Sequence, residues 1–189
     1  DPVSFATDSW ETIANAIKEG NTSVYNVGDT KEVTLTGTYA GTYTVRIADT
    51  STLSECSSSS FSQTACGFVV EFVDIITNYY MNPSSTNIGG YPASAMYTFL
   101  QNNIYNALSS DLKSVIINTK VVSSYGSEDT NNFISTDKLY LLSAKEVWGN
   151  DISNDISKGN TRQLDYYEDK GVSTSNYSAT IKNYNGSAS

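Results

Sequence analysis

The sequence predicts an α+β protein with one mostly antiparallel sheet and two main amphipathic helices. Apolar residues recur with helical spacing in segments 9–19 and 95–108. Segments 31–36 and 43–48 alternate apolar and polar residues, and segment 67–76 is almost continuously apolar, as expected of strands. Because helices and strands do not alternate regularly along the chain, an antiparallel sheet with segregated helices is favoured over a parallel α/β fold.

The first helix and the hairpin that follows it have clear boundary signals. Asp8 and Glu11 have the spacing of a capping box, and Gly20 is placed to stop the helix. The two alternating runs are joined by the Gly-containing segment 37–42, so they are predicted to form a hairpin. Segment 67–76 is predicted to be a central strand, because both of its faces are apolar.

The second helix is predicted to begin near Pro92, since proline favours the first helical position. Strand 115–122, a polar loop over 123–137 and a short buried strand over 139–142 follow. Ser143 begins a further helical turn. Six side chains carry the strongest periodicities and are expected to be deeply buried: Phe68, Val70, Phe72, Phe99, Ile104 and Leu141.

The length of 189 residues fits a single domain. We expect a compact core over residues 9–148 and an irregular, partly helical C-terminal segment over residues 149–189, where the apolar content falls. The candidate helices of that segment are 163–170 and 173–184.

Charge and composition exclude several classes of function. The chain has 11 Lys and Arg against 20 Asp and Glu, a net charge of −9. This balance argues against nucleic-acid partners and anionic membrane surfaces. The longest apolar run is too short to span a bilayer, so direct membrane insertion is not expected. The absence of His removes Ser-His-Asp and Cys-His catalysis and every His-ligated metal site.

The two cysteines indicate the cellular compartment in which the protein is expected. Cys56 and Cys66 are separated by a short polar run and are expected to form a disulfide. Two reduced, small apolar side chains, or a reactive thiol, are the alternatives. A disulfide would place the protein in an oxidising, extracellular or cell-surface setting.

Several motifs resemble an uncharacterised family of secreted or surface domains of bacteria. They are Tyr25–Leu35, Gly41–Ile47, Phe61–Phe72, Gly89–Ser94 and Lys138–Ser143. The family is remotely similar to the C-type-lectin-like fold, including its formylglycine-generating-enzyme branch. Its members continue with a Trp-Trp-Leu-Arg-Ser motif. The resemblance therefore implies a domain that is incomplete at its C-terminus, with its last strands absent or supplied by another chain. The catalytic cysteine pair of the enzyme branch has no counterpart in this sequence.

The expected cofactor is none, with Ca²⁺ as the best candidate for a bound ion. The run from Trp148 to Asp151 is similar to the Trp-Asn-Asp element of calcium-dependent lectins. Oxygen ligands cluster there, as Ca²⁺ requires, on Asn150, Asp151, Asn154 and Asp155. An ion-free polar loop is the alternative reading.

A glycan-stacking surface is a second candidate site. Tyr and Trp offer a flat apolar face with a polar tip, which suits sugars. The candidate ligand-binding residues are Tyr79, Tyr80, Tyr91 and Trp148. Glu71 and Asp74 are candidate carboxylates for glycan hydrolysis, but their odd spacing on a strand places them on opposite faces.

These observations favour a secreted or cell-surface recognition or adhesion module that is not an enzyme and binds a glycan or a protein. One alternative is a structural subunit of a surface appendage, such as a pilus or surface layer, which self-associates when a partner strand completes its sheet. A glycan-active enzyme that uses carboxylates is the second alternative.

Overall fold

A computed structural model describes residues 1–151 and 160–188. These residues form short helices and antiparallel sheets, which confirms the predicted α+β class. None of the helices in the described ranges combines the length and the apolar character needed to cross a bilayer.

Helix α1 spans Trp10–Glu19, as predicted, but its N-terminal cap differs from the expectation. Ser9 is the capping residue, and its hydroxyl accepts a hydrogen bond from the Thr12 amide at 3.1 Å. The Asp8 carboxylate instead accepts a hydrogen bond from the Tyr25 hydroxyl at 2.6 Å. The capping-box prediction was therefore wrong, because a long-range partner holds Asp8 away from the first turn of the helix.

The main sheet contains β1 (Thr30–Leu35), β2 (Gly41–Asp49) and β3 (Val69–Phe72), in the order β1-β2-β3 with antiparallel pairing throughout. The hairpin prediction is confirmed. The prediction of a central strand over 67–76 was wrong, because β2 occupies the centre and β3 is a four-residue strand at the edge. Continuous apolar character in β3 instead reflects packing on both faces.

The second predicted helix is present as a continuous helical stretch. It comprises α2 (Ala95–Phe99), a π-helical segment (Leu100–Ile104) and α3 (Tyr105–Ala107). The helix begins after Ser94, whose hydroxyl accepts from the Tyr97 amide at 3.1 Å, whereas Pro92 lies in the preceding 3₁₀ turn. Helix α4 (Ser110–Val115) follows directly.

A second sheet pairs β4 (Thr119–Ser123) with β5 (Phe133–Asp137). Strand β4 begins later than predicted, because Val115 is the last residue of α4. The predicted polar loop contains β5, whose buried residues Ser135 and Asp137 are polar and hide the strand from an apolar pattern. Segment 139–142 is not a strand.

The C-terminal part contains α5 (Ala144–Trp148), α6 (Asp165–Asp169) and the small hairpin of β6 (Asn183–Tyr184) and β7 (Ser187–Ala188). The helix predicted over 173–184 is absent. Asn185 and Gly186 both have positive φ angles, of 51° and 80°, and so form a two-residue turn that favours a hairpin.

The core consists of two apolar clusters. The first packs α1 against β1, β2 and the helical region 95–115, and the second packs β2 and β3 against α6 and the cysteine loop. Phe99 and Ile104 are buried, as predicted. Phe68, Val70 and Phe72 are only half-buried, and Leu141 is 45% exposed, so the prediction that these four are deeply buried was wrong.

Candidate functional site

An apolar groove of 570 Å³ runs beside β3. It is bordered by α1, by β3, by the helical region 95–117 and by segment 138–142. Apolar side chains dominate its lining. Ile117, at 74% exposed, and Leu141, at 45% exposed, both border it, so the groove presents apolar side chains to solvent.

The edge of β3 that faces away from β2 carries unused backbone groups. The Val73 amide donates to the Thr44 carbonyl at 2.9 Å. In an antiparallel pair every second residue bonds to the neighbouring strand through its backbone, so this bond shows which residues of β3 face β2. Glu71 therefore bonds to β2 through its backbone, whereas the amides and carbonyls of Val70 and Phe72 point outward. Of these four groups, the Phe72 carbonyl accepts a hydrogen bond from the Lys182 side chain, and the other three are unused within the described residues. Among the described residues, β2 is the one strand that pairs with β3.

Segment 138–142 is a second source of unused backbone groups beside the groove. The Gln101 side chain accepts from the Lys138 amide at 2.7 Å and donates to the Leu139 carbonyl, which anchors the start of the segment. Within residues 1–151 and 160–188, no hydrogen bond involves the backbone of residues 140–142. Residues 140–142 are thus without backbone hydrogen bonds in the described part of the chain, and all three border the groove.

Two lysines border the groove and bind carbonyl oxygens. The Lys182 ammonium group donates to the Phe72 carbonyl at 2.7 Å and to the Val73 carbonyl at 3.2 Å. The Lys138 ammonium group donates to the Ile116 carbonyl at 2.9 Å. Burial lowers the pKa of Lys182. Both ammonium groups therefore bind carbonyl oxygens at the border of the groove.

A buried ionic network surrounds Glu71, which borders the groove together with Tyr167 and Lys182. Glu71 accepts from the Arg46 guanidinium Nε at 3.0 Å and from the Tyr167 hydroxyl at 2.8 and 2.9 Å. Burial raises the pKa of Tyr167, so its phenol keeps the proton that it donates. The Lys182 ammonium group lies 3.9 Å from Glu71. Glu71 is fully engaged in structure, whereas Asp74 is exposed and accepts from the Asn183 amide.

Three other buried carboxyl groups were missed by the sequence reasoning. Burial raises the pKa of Asp49 to about 7, although Arg162 donates to both of its carboxylate oxygens at 2.8 and 3.0 Å. Burial also raises the pKa values of Glu146 and Asp137. No local pattern signals these groups, since Asp49 and Arg162 lie on distant parts of the chain.

These carboxyl groups are engaged mainly by the protein itself. Glu146 accepts hydrogen bonds from the hydroxyls of Thr64 and Thr161 and from the Ser143 amide. Asp137 accepts from the Tyr91 hydroxyl at 3.0 Å, and its second oxygen is buried with no hydrogen-bond partner among the residues that the structure describes. The arrangement is that of buried structural groups that lie away from an open cleft.

The structure brings two of the four candidate aromatic residues together. Tyr79 stacks on Tyr80, with ring centroids 4.4 Å apart, and on the buried Phe99 at 3.9 Å. Tyr79 also borders the groove. Tyr91 instead binds Asp137, and Trp148 packs against the second core cluster. Of the four candidate residues, Tyr79 and Tyr80 are therefore the two that form an exposed aromatic surface.

The candidate calcium ligands are only partly described. Asp151 forms an ion pair with Lys145 at 2.9 Å, and Asn150 is exposed. Asn154 and Asp155 lie outside the described residues. Over the described ranges, no group of three or more Cys, Asp or Glu side chains is arranged to hold a metal ion.

Cys56 and Cys66 form a disulfide in the structure, with Cα atoms 6.0 Å apart. The bond closes a loop that packs against the second core cluster beside α6. The predicted pairing is confirmed, and the bond closes this loop shortly before β3 begins at Val69.

A comparison with protein-family models identifies the family of this chain. The model of a domain of unknown function, DUF6273, matches residues 70–187, which include most of β3, the helical region, the β4–β5 sheet, most of the β6–β7 hairpin and most of the groove lining. The comparisons with curated proteins and with solved structures gave no match. Because the matched region covers more than half of the sequence, the chain belongs to the family of domains of unknown function DUF6273.

Proposed function

We propose that the protein is a non-catalytic recognition module that binds a segment of another protein in the apolar groove. The observation that supports this proposal most directly is the groove itself, a 570 Å³ concavity with a mainly apolar lining. Concave apolar surfaces of this size are typical binding sites, because a ligand that fills them removes apolar area from water.

The chemistry of the groove favours a protein ligand over a glycan. Sugars require several polar groups around an aromatic face, and the candidate aromatic residues are not assembled in one place. The carboxyl groups with raised pKa values are buried and bound by neighbouring side chains. They are therefore poorly placed to act on a substrate, which supports a binding role over an enzymatic one.

The disulfide supports the further proposal that the module acts outside the cytoplasm, on a secreted or surface protein of a bacterium. The resemblance to lectin-like domains belongs to the same proposal. We take from this resemblance only a scaffold that presents a recognition surface, and the ligand that we propose is a polypeptide.

The test begins with selection of peptides from a displayed library of random decapeptides on the intact protein. The affinity of a selected peptide is then measured for Leu141→Asp and Ile117→Asp, which place a charge in the groove. Ile134→Asp and Ile88→Asp are matched controls, because these isoleucines are comparably exposed but do not border the groove.

The groove variants should weaken peptide binding by about 10-fold or more, since burial of one large aliphatic side chain contributes roughly 1.5–3 kcal/mol. The two controls should bind as the unchanged protein does. The proposal is overturned if all four variants bind equally. It is also overturned if no peptide is selected, or if a glycan array or a panel of hydrolase substrates gives a response instead.

A second candidate function is a structural subunit of a surface appendage. The open edge of β3 favours it, because a strand of a neighbouring subunit could complete the sheet there. Electron microscopy of native cell-surface material tests this candidate. Labelled protein in regular filaments or layers would support it, and isolated molecules would count against it.

A further inference from the structure

We infer that the groove binds its partner by β-augmentation: an extended apolar segment of another polypeptide pairs with the open edge of β3 through the amide and carbonyl of Val70 and the amide of Phe72, since Lys182 already binds the Phe72 carbonyl. This inference rests on the proposed function. It specifies both the class of ligand, a β-strand, and the atoms that recognise it.

The backbone of β3 defines the geometry of the ligand. Val70 and Phe72 present their amides and carbonyls on the same edge, two residues apart, which is the repeat of one strand bonding to the next. A polar backbone group next to an apolar groove is costly to bury without a hydrogen-bond partner. A lipid chain cannot provide such partners, whereas a polypeptide strand provides donors and acceptors at the matching interval.

Segment 138–142 adds a second reason to expect a strand. Its residues 140–142 have no backbone hydrogen bonds within the described part of the chain, and they border the same groove as β3. Both elements offer apolar side chains together with free backbone groups. A ligand between them would meet backbone partners and apolar side chains, which is the pattern of strand addition.

The ends of the groove limit the ligand. Beyond β3, the Ile75 amide donates to the Asn183 carbonyl at 3.1 Å, so the C-terminal segment already covers that part of the edge. The accessible edge therefore extends over about two residue pairs of the ladder, next to the half-buried Phe68 and the apolar helices. The ligand is a short apolar run, and not a long sheet edge.

Charge at the groove adds a preference. Lys138 makes no ion pair within the described residues, whereas Lys182 pairs with Glu71 at 3.9 Å. Because Glu71 and Asp74 also border the groove near Lys182, a carboxylate next to the apolar run of the ligand would complement Lys138 in particular.

The experiment uses a groove-dependent peptide selected on the intact protein. Each backbone amide of the peptide is methylated in turn, and the affinity of each methylated peptide is measured. Successive residues of a strand direct their amides to opposite sides. In the central run of the peptide, methylation at every second residue should therefore weaken binding by at least 10-fold. Methylation at the intervening residues should change it little.

Amide hydrogen exchange of the protein, followed by NMR, provides a matched internal control. The peptide should slow exchange at Val70 and Phe72 by at least 10-fold. It should leave Glu71 almost unchanged, because the Glu71 amide already bonds to β2. Replacing the acidic residue of the peptide by its amide should weaken binding several-fold at low salt, and less at high salt.

The outcomes separate this inference from the proposed function. Suppose that the peptide binds and that Leu141→Asp abolishes binding. If methylation then shows no alternating effect and amide exchange at Val70 and Phe72 is not slowed, β-augmentation is overturned and groove recognition stands. If no groove-dependent peptide exists, both fail. Protection of Val70 and Phe72 that depends on protein concentration in the absence of peptide would assign the edge to a second copy, and would overturn the inference of a partner strand.

Discussion

Removal of one hydroxyl tests whether the network around Glu71 holds β3 in place. In Tyr167→Phe the ring remains, but the hydrogen bonds to Glu71, at 2.8 and 2.9 Å, are lost. Tyr167 is 1% exposed, so water cannot replace its hydroxyl without rearrangement. Hydrogen bonds to charged groups contribute about 1.5–3 kcal/mol, and this is the expected loss in the free energy of unfolding.

The neighbouring residue provides the control. The ring of Tyr166 lies 3.8 Å from the Arg46 guanidinium, and within the described ranges its hydroxyl makes no hydrogen bond. Tyr166→Phe keeps the ring contact and should change the free energy of unfolding by less than about 0.5 kcal/mol. The two substitutions remove the same hydroxyl group from adjacent residues of α6. Any change in helix propensity is therefore the same in both variants and does not affect their comparison.

Urea denaturation, followed by circular dichroism at pH 7, measures both variants. The midpoint should fall for Tyr167→Phe at an unchanged slope. A double-mutant cycle that combines Tyr167→Phe with Glu71→Gln should give a coupling energy of about 1 kcal/mol or more between these two side chains. Equal losses for Tyr166→Phe and Tyr167→Phe, or a coupling energy near zero, would refute the argument that this network anchors β3 to α6.

Three further predictions follow from burial and chain topology. Reduction of Cys56–Cys66 should lower the free energy of unfolding by roughly 3 kcal/mol on the loop-entropy model, and mass spectrometry after alkylation without reductant should show no adducts. Phe99→Ala should cost about 3–5 kcal/mol because the ring is buried, whereas Leu141→Ala, at an exposed position, should cost less than about 1 kcal/mol; similar urea midpoints would contradict this contrast. The raised pKa of Asp49 means that the folded state holds its proton more tightly than the unfolded chain. Its contribution to stability should therefore be present at pH 4 and be lost as the pH rises through about 7. Asp49→Asn should flatten the measured pH dependence in that interval, and an unchanged slope would count against the assignment.

The patterns that could be read from the sequence were those that depend on neighbours along the chain. Helical spacing located α1, and alternation located the hairpin of β1 and β2, because each pattern repeats within a few residues. Strand β5 was missed because Ser135 and Asp137 are buried polar residues. The hairpin of β6 and β7 depends on the Asn185–Gly186 turn, a signal that was present in the sequence.

The candidate site was less accessible to sequence reasoning, because its elements meet only in three dimensions. Lys182 reaches the Phe72 carbonyl across more than a hundred residues, and Arg162 reaches Asp49 across a similar separation. Such contacts leave no mark on local composition. The aromatic residues were chosen for their chemistry, but Tyr91 contacts a buried carboxylate and Trp148 packs in a core cluster, so chemistry alone did not predict their placement.

The failed burial predictions themselves lead to the groove. Four side chains that the sequence marks as core are left half-buried or exposed, namely Phe68, Val70, Phe72 and Leu141, and all four border the same groove. Sequence periodicity reports which side chains require an apolar environment, whether their own chain or a ligand provides it. A fold that satisfied Phe99 and Ile104 but left these four in partial contact with water has an unfilled apolar surface at one place. This surface supports the proposal that another polypeptide binds there, with the open edge of β3 as its backbone partner.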